Sequence, residues 1–274
     1  MSGITNMDEK EGRVLVVGDI HGSHKGLVQA MHRCKFDNDK DQLISLGDIA
    51  DGWPETPQCV DELLKVKNLI AIKGNHDDWT LSWMNTANAG HHWLNSGGKA
   101  TKDAYDQAQM YHDHDREAHH RFFKYQHDFY IDDENRAFVH GGFTSRKGVG
   151  HEPYRSNYYW DRDMWTLALM QDRNKIDQEL VDEPTHSTRF YRHKEVYIGH
   201  TSTCNWRAKG NMKESSDPNQ KLNADITVPM HRCNVWNMDT GGGFGGKITI
   251  QDVDTKEYFQ SDYCKELYPN HAGR

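Results

Sequence analysis

Short apolar runs alternate with amphipathic segments through the first part of the chain. Each run is four residues long, apolar apart from Ser45, and bounded by glycine or polar residues, which indicates a buried strand. These runs lie at residues 14–17, 43–46 and 69–72. Between them, residues 24–36 and 56–67 place apolar side chains at helical spacing, and Thr56-Pro57 is typical of a helix start. The order strand, helix, strand, helix, strand predicts a parallel sheet.

The pattern changes after residue 78. Residues 78–128 are rich in Trp, His, Asp and Gln and lack alternation, so we expect a helical insertion of two or three helices beside the sheet. Breaks are expected at 88–90 and 95–98, where Asn, Ser and Gly cluster. Further along, the sequence predicts hairpins at 129–139 and 247–259, a helix at 156–172, a strand at 195–198 and a polar loop at 201–225.

The bulk composition limits the possible functions. A chain of 274 residues with a polar start predicts a flexible arm at 1–12 and a single α/β domain at 13–274. It shows neither a membrane-length apolar run nor a secretory signal, so we expect a cytoplasmic protein without a membrane partner. The five cysteines include no Cys-x-x-Cys pair, and the net charge of −8 argues against stable nucleic-acid binding.

Five of the predicted strands run into glycine and a side chain that can bind metal. Residues i and i+2 of an extended chain point to the same side, so Asp19 and His21 can reach one ion together. The other candidates at strand ends are Asp48, Asn75, His140 and His200. Oxygen and imidazole ligands without thiolate suit manganese, iron or zinc, and this many ligands fit two ions about 3.5–4 Å apart.

The order and spacing of these motifs resemble those of a known family. The motifs are Gly18-Asp19-Ile20-His21-Gly22, Gly47-Asp48-Ile49-Ala50-Asp51, Gly74-Asn75-His76-Asp77, His140-Gly141-Gly142 and Gly199-His200-Thr201. Across roughly residues 13–250 they resemble the phosphoprotein phosphatase branch of the calcineurin-like metallophosphoesterases, especially its small bacterial and phage-type members. The resemblance implies a four-layer αββα sandwich, with 13–274 as one catalytic domain carrying the helical insertion.

The resemblance also implies a dinuclear metal site. Asp19 and His21 are then expected to bind the first ion, and Asp48 to bridge both ions. Asn75, His140 and His200 are expected to complete the second ion's site, with Asn75 also contacting the substrate phosphate. Manganese is the expected metal, with iron, zinc or nickel as alternatives. The ions would supply a hydroxide near neutral pH that attacks phosphorus.

Two further residues are assigned catalytic roles by the resemblance. His76 is the expected general acid, and Asp51 is expected to hold its imidazole and favour the protonated form. The alternatives are a structural histidine and a turn carboxylate. The usual Glu after Asn-His is Asp77 here, which keeps the charge and shortens the reach.

One departure from the family pattern affects phosphate binding. The family usually places Arg-Gly after the residue that corresponds to Asp51, but Gly52-Trp53 stands here, so a phosphate-clamping arginine is missing. Arg162, within Trp160-Asp161-Arg162, is the expected remaining clamp, the alternative being a helix-surface salt bridge. Arg146 is a further possibility.

Two other features of the sequence have open interpretations. Trp53 is expected either to offer an aromatic face at the mouth of the site or to pack against the helix that begins at Pro57. The histidines of the insertion suggest either a third metal site or a solvated helical face; they are His112, His114, His119 and His120.

The resemblance therefore implies a metal-dependent phosphomonoesterase acting on phosphoserine, phosphothreonine or phosphotyrosine, with a phosphorylated protein or a small phosphorylated molecule as its partner. The missing arginine keeps a second function open, which is hydrolysis of a dinucleoside polyphosphate, a phosphodiester or a cyclic phosphate. A non-catalytic binding module is disfavoured, because the complete ligand set and His76 are retained.

Overall fold

A computed structural model describes residues 12–108, 113–174, 186–205 and 226–274. The predicted arm at 1–12 lies outside the described residues except for Gly12, and so does most of the polar segment at 201–225. Within the described part of the chain, none of the helices has the length and apolar character required to cross a bilayer.

The first sheet has five strands in the order β10-β9-β1-β2-β3. The predicted parallel unit is present, because β1 pairs with β2 and β2 with β3 in parallel. The final hairpin adds β9 antiparallel to β1, with β10 at the edge. The strands are β1 (Val14–Val17), β2 (Gln42–Ser45), β3 (Asn68–Ala71), β9 (Thr249–Asp252) and β10 (Tyr258–Gln260).

The second sheet also has five strands, in the order β4-β5-β6-β8-β7. The hairpin β4–β5 and the strand β6 were predicted, whereas the sequence analysis missed the hairpin β7–β8. Strands β5, β6 and β8 run parallel, so their carboxyl ends meet at one edge of the sheet. The strands are β4 (Phe129–Ile131), β5 (Arg136–Val139), β6 (Glu195–Ile198), β7 (Met230–Arg232) and β8 (Val235–Asn237).

The helices cover the outer faces of the two sheets. In the first half they are α1 (His24–Arg33), α2 (Thr56–Leu63), α3 (Asn75–Thr86), α4 (His91–Trp93), α5 (Lys99–Gln107) and α6 (Asp113–Lys124). The others are α7 (Asn157–Trp160), α8 (Asp163–Asn174) and α9 (Cys264–Leu267). The helix predicted at 156–172 is therefore two helices, since the chain turns extended at Asp161. The described residues of the insertion form four helices rather than the expected two or three, and α3 begins at Asn75, before the predicted boundary at 78.

Alternation along the strands produces a four-layer core. Val16 and Ile44 face Phe138 and Tyr197 of the other sheet and form the layer between the sheets. Leu15, Val17 and Leu43 face the opposite way and pack under α1 and α2. On the far side, Val139, Val196 and Val235 pack with Met164 and Trp165 of α8. The predicted αββα arrangement is confirmed, because each sheet buries one face against the other sheet and one against helices.

Candidate metal centre

The six predicted ligands lie at strand ends of both sheets and converge on one buried region. Each of these side chains is at most 3% exposed. Their ligand atoms form two groups in which all atoms lie within 4.8 Å of one another. One group is Asp19, His21 and Asp48, and the other is Asp48, His140 and His200. Asn75 joins the second group, because its Oδ1 lies 3.2 Å from His140 Nε2.

Asp48 belongs to both groups, and its two oxygens face different imidazoles. Oδ1 lies 3.3 Å from His140 Nε2, and Oδ2 lies 3.6 Å from His21 Nε2. Oδ1 also accepts a hydrogen bond of 2.9 Å from the backbone N–H of His76, in the first turn of α3. A carboxylate placed in this way can bind one ion through each oxygen.

Two of the histidines are oriented by backbone carbonyls. The Nδ1 atom of His21 lies 3.1 Å from the oxygen of Ala50, and Nδ1 of His140 lies 2.9 Å from the oxygen of Leu46. In a neutral ring, a nitrogen that faces a carbonyl carries the proton and donates it, so the lone pair lies on Nε2 and is directed into the site. The arrangement is typical of histidines that bind metal.

Backbone strain concentrates at these positions. Among the described residues, nine non-glycine residues have a positive φ. Four of them belong to the site, with φ of 51° at His21, 49° at Asp48, 73° at Asp51 and 63° at His200. Such conformations cost free energy and persist where the surrounding structure enforces them, often at functional sites.

The electrostatics of the region favour a bound cation. Burial would raise the pKa of Asp48, but the facing imidazoles, His140 first, hold it well below its usual range. Burial would lower the pKa of His140, but the charge and hydrogen bond of Asp48 raise it to about 9. Burial and the nearby Asp239 raise the pKa of Asp19 well above its usual range. Asp19 therefore lacks sufficient positive charge from the protein itself, and a bound cation would stabilise its ionised form.

Unpaired polar atoms show that the residues present fit divalent ions. Asp48 Oδ2 and both ring nitrogens of His200 are buried and have no hydrogen-bond partner among the described residues. Leaving such atoms unpaired is costly, so they mark a place where a ligand belongs. The oxygen and imidazole donors are the types that Mn²⁺, Fe²⁺ and Zn²⁺ accept.

His76 and Asp51 form a buried pair beside the two groups. His76 Nδ1 lies 2.7 Å from Asp51 Oδ2, and the same oxygen accepts a hydrogen bond of 2.8 Å from Trp93 Nε1. The Nε2 atom of His76 is buried and has no partner among the described residues. Burial lowers the pKa of His76 to about 4 and raises that of Asp51. Burial thus opposes the protonated form that Asp51 was expected to favour.

Asp77 fixes the loops that carry these residues. Its Oδ1 accepts hydrogen bonds from the backbone of Ile49 at 2.8 Å and Ala50 at 3.2 Å, in the loop after β2. Its Oδ2 accepts one from the backbone of Gly74 at 3.1 Å, immediately before Asn75. One carboxylate thereby joins the loop that carries Asp48 to the helix that carries His76.

The two candidate phosphate-binding arginines, Arg162 and Arg146, have different surroundings in the structure. Arg162 lies at the site, where its Nη1 donates to the carbonyl oxygen of His200 at 2.9 Å, and its side chain reaches solvent. Arg146 is exposed, and the contact that the structure gives it is made by its backbone oxygen, which accepts from Arg192 at 3.2 Å.

The prediction of Trp53 as an aromatic face at the site mouth is wrong. Its side chain is 0% exposed, its Nε1 donates to the oxygen of Gly242 at 2.8 Å, and its ring stacks on Tyr268. Trp53 packs in the core with residues of α2, as the alternative interpretation held. The aromatic side chains near the site are Trp79, whose ring lies 5.0 Å from that of His76, and Trp160, which is 43% exposed.

The histidines of the insertion have separate surroundings. His119 is buried between Asp61 and Tyr105, at 2.9 Å from each, and His120 Nε2 lies 2.7 Å from Asn85 Oδ1. His112 and the side chain of His114 lie outside the described residues. His119 and His120 themselves contact no common ligand-type group, and the third metal site has no support in this part of the chain.

Sequence reasoning missed two residues that contact the site. Trp93 holds Asp51 from the insertion, and Arg274 places Nη1 at 3.1 Å from His21 Nε2. Neither stands in a motif or in a periodic pattern. The sequence points to Arg274 only indirectly, because position 52 holds glycine where the family usually has arginine.

Comparisons with known proteins agree with this geometry. Residues 12–213 match the calcineurin-like phosphoesterase family. Over 170 residues, 60% of this chain and 74% of the relative, the sequence is 31% identical to serine/threonine-protein phosphatase 2 of Escherichia coli. It is 36% identical to serine/threonine-protein phosphatase 1 of Salmonella typhimurium over 85 residues, which are 31% of this chain and only 38% of that relative.

A solved structure of a candidate diadenosine tetraphosphatase shares the fold. Its TM-score is 0.53 at 16% sequence identity, and the match covers 93% of this chain and 96% of that one. The serine/threonine phosphatases among the relatives support the phosphoprotein phosphatase branch to which the motifs pointed. With a family match over most of its length and the expected two-sheet fold, the chain belongs to the calcineurin-like phosphoesterase family.

Proposed function

We propose that this protein is a metal-dependent phosphomonoesterase that hydrolyses phosphoserine, phosphothreonine or phosphotyrosine. The observation that carries the proposal is the Nε2 atom of His76, which has no hydrogen-bond partner in the described part of the chain and is buried beside two ligand groups that share Asp48. The names of the two bacterial relatives support protein phosphatase activity.

Two divalent ions, manganese first, would be held by the residues of the two groups. Asp19 and His21 would hold one, and Asn75, His140 and His200 the other, with Asp48 between them. When bound, the ions would lower the pKa of a water molecule and polarise the phosphoryl oxygens. Asn75 has a second use here, because its buried Nδ2 is unpaired among the described residues and can donate to a phosphate oxygen.

His76 would donate the proton that the leaving oxygen takes up. Its Nδ1 is fixed to Asp51, so Nε2 is the atom that faces the substrate. Because burial lowers the pKa of His76 to about 4, the negative charge of an incoming phosphate must help to hold the proton. The role of Asp51 is to fix the ring, and Trp93 fixes Asp51 in turn.

A second candidate function is hydrolysis of a nucleotide anhydride or phosphodiester. The ring of the exposed Trp160 lies 5.1 Å from that of Trp79, which itself contacts His76. This pair could stack on a nucleobase or on a phosphotyrosine ring, because stacking tolerates different rings.

A substrate comparison tests the proposal. We expect the manganese-loaded protein to turn over p-nitrophenyl phosphate and phosphopeptides with higher kcat/KM than bis-p-nitrophenyl phosphate or diadenosine tetraphosphate. The opposite order would support the second candidate. A Trp160→Ala variant refines the result, since a fall in kcat/KM confined to aromatic or nucleotide substrates would assign the stacking role.

A further inference from the structure

Arg274 reaches the first ligand group from a segment distant in sequence. Its Nη1 lies 3.1 Å from Nε2 of His21 and 3.9 Å from Oδ2 of Asp48. The side chain is 17% exposed, so the guanidinium is largely enclosed by the protein. At 3.9 Å the carboxylate of Asp48 is too far for a hydrogen bond, and Arg274 makes no closer ion pair within the part of the chain that the structure describes.

The packing around Arg274 is specific. Its backbone N–H donates to the oxygen of Gly243 at 2.8 Å, and its guanidinium lies 5.0 Å from the centre of the exposed Phe244 ring. Gly273 has a φ of +78°, and a Cβ there would come within 2.9 Å of the Trp53 ring. Gly273, immediately before Arg274, therefore packs against the ring of the buried Trp53. Such packing keeps the long side chain directed at the site.

Arg274 fills the space beside Gly52. A Cβ built on Gly52 would lie 3.5 Å from the Cβ and from the backbone nitrogen of Arg274. Gly52 has a φ of +101°, a conformation that favours glycine over any residue with a side chain. The Cβ of a side chain at position 52 would lie next to the Cβ of Arg274, so side chains at the two positions can reach the same part of the site.

The present contact of Arg274 uses an atom that a metal ion would need. Nδ1 of His21 faces a carbonyl, so Arg274 donates to the remaining lone pair on Nε2. An ion bound to Nε2 takes that lone pair, and the guanidinium must then find another acceptor. A phosphate placed over the ions offers paired oxygens to the planar fork of an arginine.

We propose that Arg274 binds the substrate phosphate, supplying from the other end of the chain the guanidinium that Gly52 lacks. It acts from the His21 side, whereas Arg162 acts from the His200 side. The inference rests on the proposed function, because it takes the ligand of the loaded site to be a phosphate group. It assigns Arg274 to ligand binding and leaves metal binding to the residues already named.

The test is calorimetric titration of inorganic phosphate into manganese-loaded protein, with manganese per chain measured in parallel. We expect Arg274→Ala to weaken phosphate binding about 10-fold or more, in line with loss of a charge-assisted hydrogen bond, at unchanged metal content. Arg274→Lys should restore part of the affinity, because it keeps the charge and loses the fork. With p-nitrophenyl phosphate, KM should rise more than kcat falls.

Lys99→Ala is the matched control. Lys99 and Arg274 line the same cavity of about 390 Å³, but Lys99 is paired with Asp103. The control should bind phosphate as the unaltered protein does. Phosphate affinity within twofold of normal in Arg274→Ala would overturn this inference and leave the proposed function intact. If Arg274→Ala instead binds manganese more tightly at unchanged phosphate affinity, the inference is overturned as well, because Arg274 then only competes with the ion for His21. Unaltered protein that holds manganese but binds no phosphate would overturn the proposed function as well.

Discussion

The two halves of the site differ in what they contribute. The half built on the first sheet carries the two carboxylate ligands, Asp19 and Asp48, together with His21 and the pair Asp51–His76. The half built on the second sheet contributes imidazoles, His140 and His200, together with the cation of Arg162. Asp48 of the first half faces His140 of the second half, and each stabilises the charged form of the other. The pKa of Asp48 is lowered and that of His140 is raised. The site is thus assembled only when the sheets pack together.

This difference places the proposed proton donor in the first half, whereas phosphate contacts are proposed in both halves. The first half holds the residue that we propose as proton donor by a chain of contacts that starts in the helical insertion, from Trp93 to Asp51 to His76. The second half holds Arg162 on the carbonyl of His200, next to solvent. Substitution of His76 and substitution of Arg162 should therefore damage different steps.

The largest effect is expected for His76→Asn in the first half. Turnover of poor leaving groups should fall by about 10²–10⁴-fold, because general acid catalysis is lost. The loss should be smaller for p-nitrophenyl phosphate, whose leaving group departs without a proton. Both measurements are steady-state kinetics on manganese-loaded protein, with His24→Asn as a control for a histidine outside the site. Equal losses for all leaving groups would assign His76 a positioning role instead.

Arg162→Ala tests the second half. We expect a loss of about 2–4 kcal/mol of transition-state stabilisation, by analogy with removal of one donor from an oxyanion hole. Manganese per chain should not change, and the loss should be similar for good and poor leaving groups. Arg155→Ala is the control, since Arg155 is an exposed arginine that binds Asp128 at 2.7 Å. Near-normal kcat/KM in Arg162→Ala would show that the second half contributes metal ligands alone.

The smallest effect is expected for Trp93→Phe. The change keeps an aromatic ring and removes the Nε1 donor to Asp51, so turnover of poor leaving groups should fall about 10-fold, as expected for one hydrogen bond to a charged group. Trp83→Phe trims the neighbouring ring, 5.3 Å away, and controls for packing. If both variants lose the same activity, the insertion supports the site by packing and the hydrogen bond to Asp51 has no special role.

The first half of the site was predictable from sequence because its elements are local. Each apolar run of the parallel unit ends in a motif residue, and the pairing of β1, β2 and β3 brings Asp19, Asp48 and Asn75 to one edge. In the second half, β7 and β8 escaped prediction. Each has only three residues, and the pairing of β8 with β6 and of β7 with β8 stabilises strands whose own patterns are weak.

Contacts between distant segments could not be predicted in the same way. Arg274 meets His21 across 253 positions, and Trp93 meets Asp51 across 42, so no local spacing reveals either contact. Of the two interpretations of Trp53, the structure supports packing in the core, because Tyr268 from a segment distant in sequence stacks on its ring. Motifs identified the candidate ligands, and only the packing of the chain showed what surrounds them.

The most direct test of the dinuclear centre is anomalous diffraction from crystals of the manganese-loaded protein. The account predicts two anomalous peaks about 3.5–4 Å apart, one beside Asp19 and His21, the other beside His140 and His200, with Asp48 between them. Two manganese ions per chain should be found by elemental analysis of the same sample. A single peak in fully loaded protein, or a second peak away from Asp48, would contradict the account.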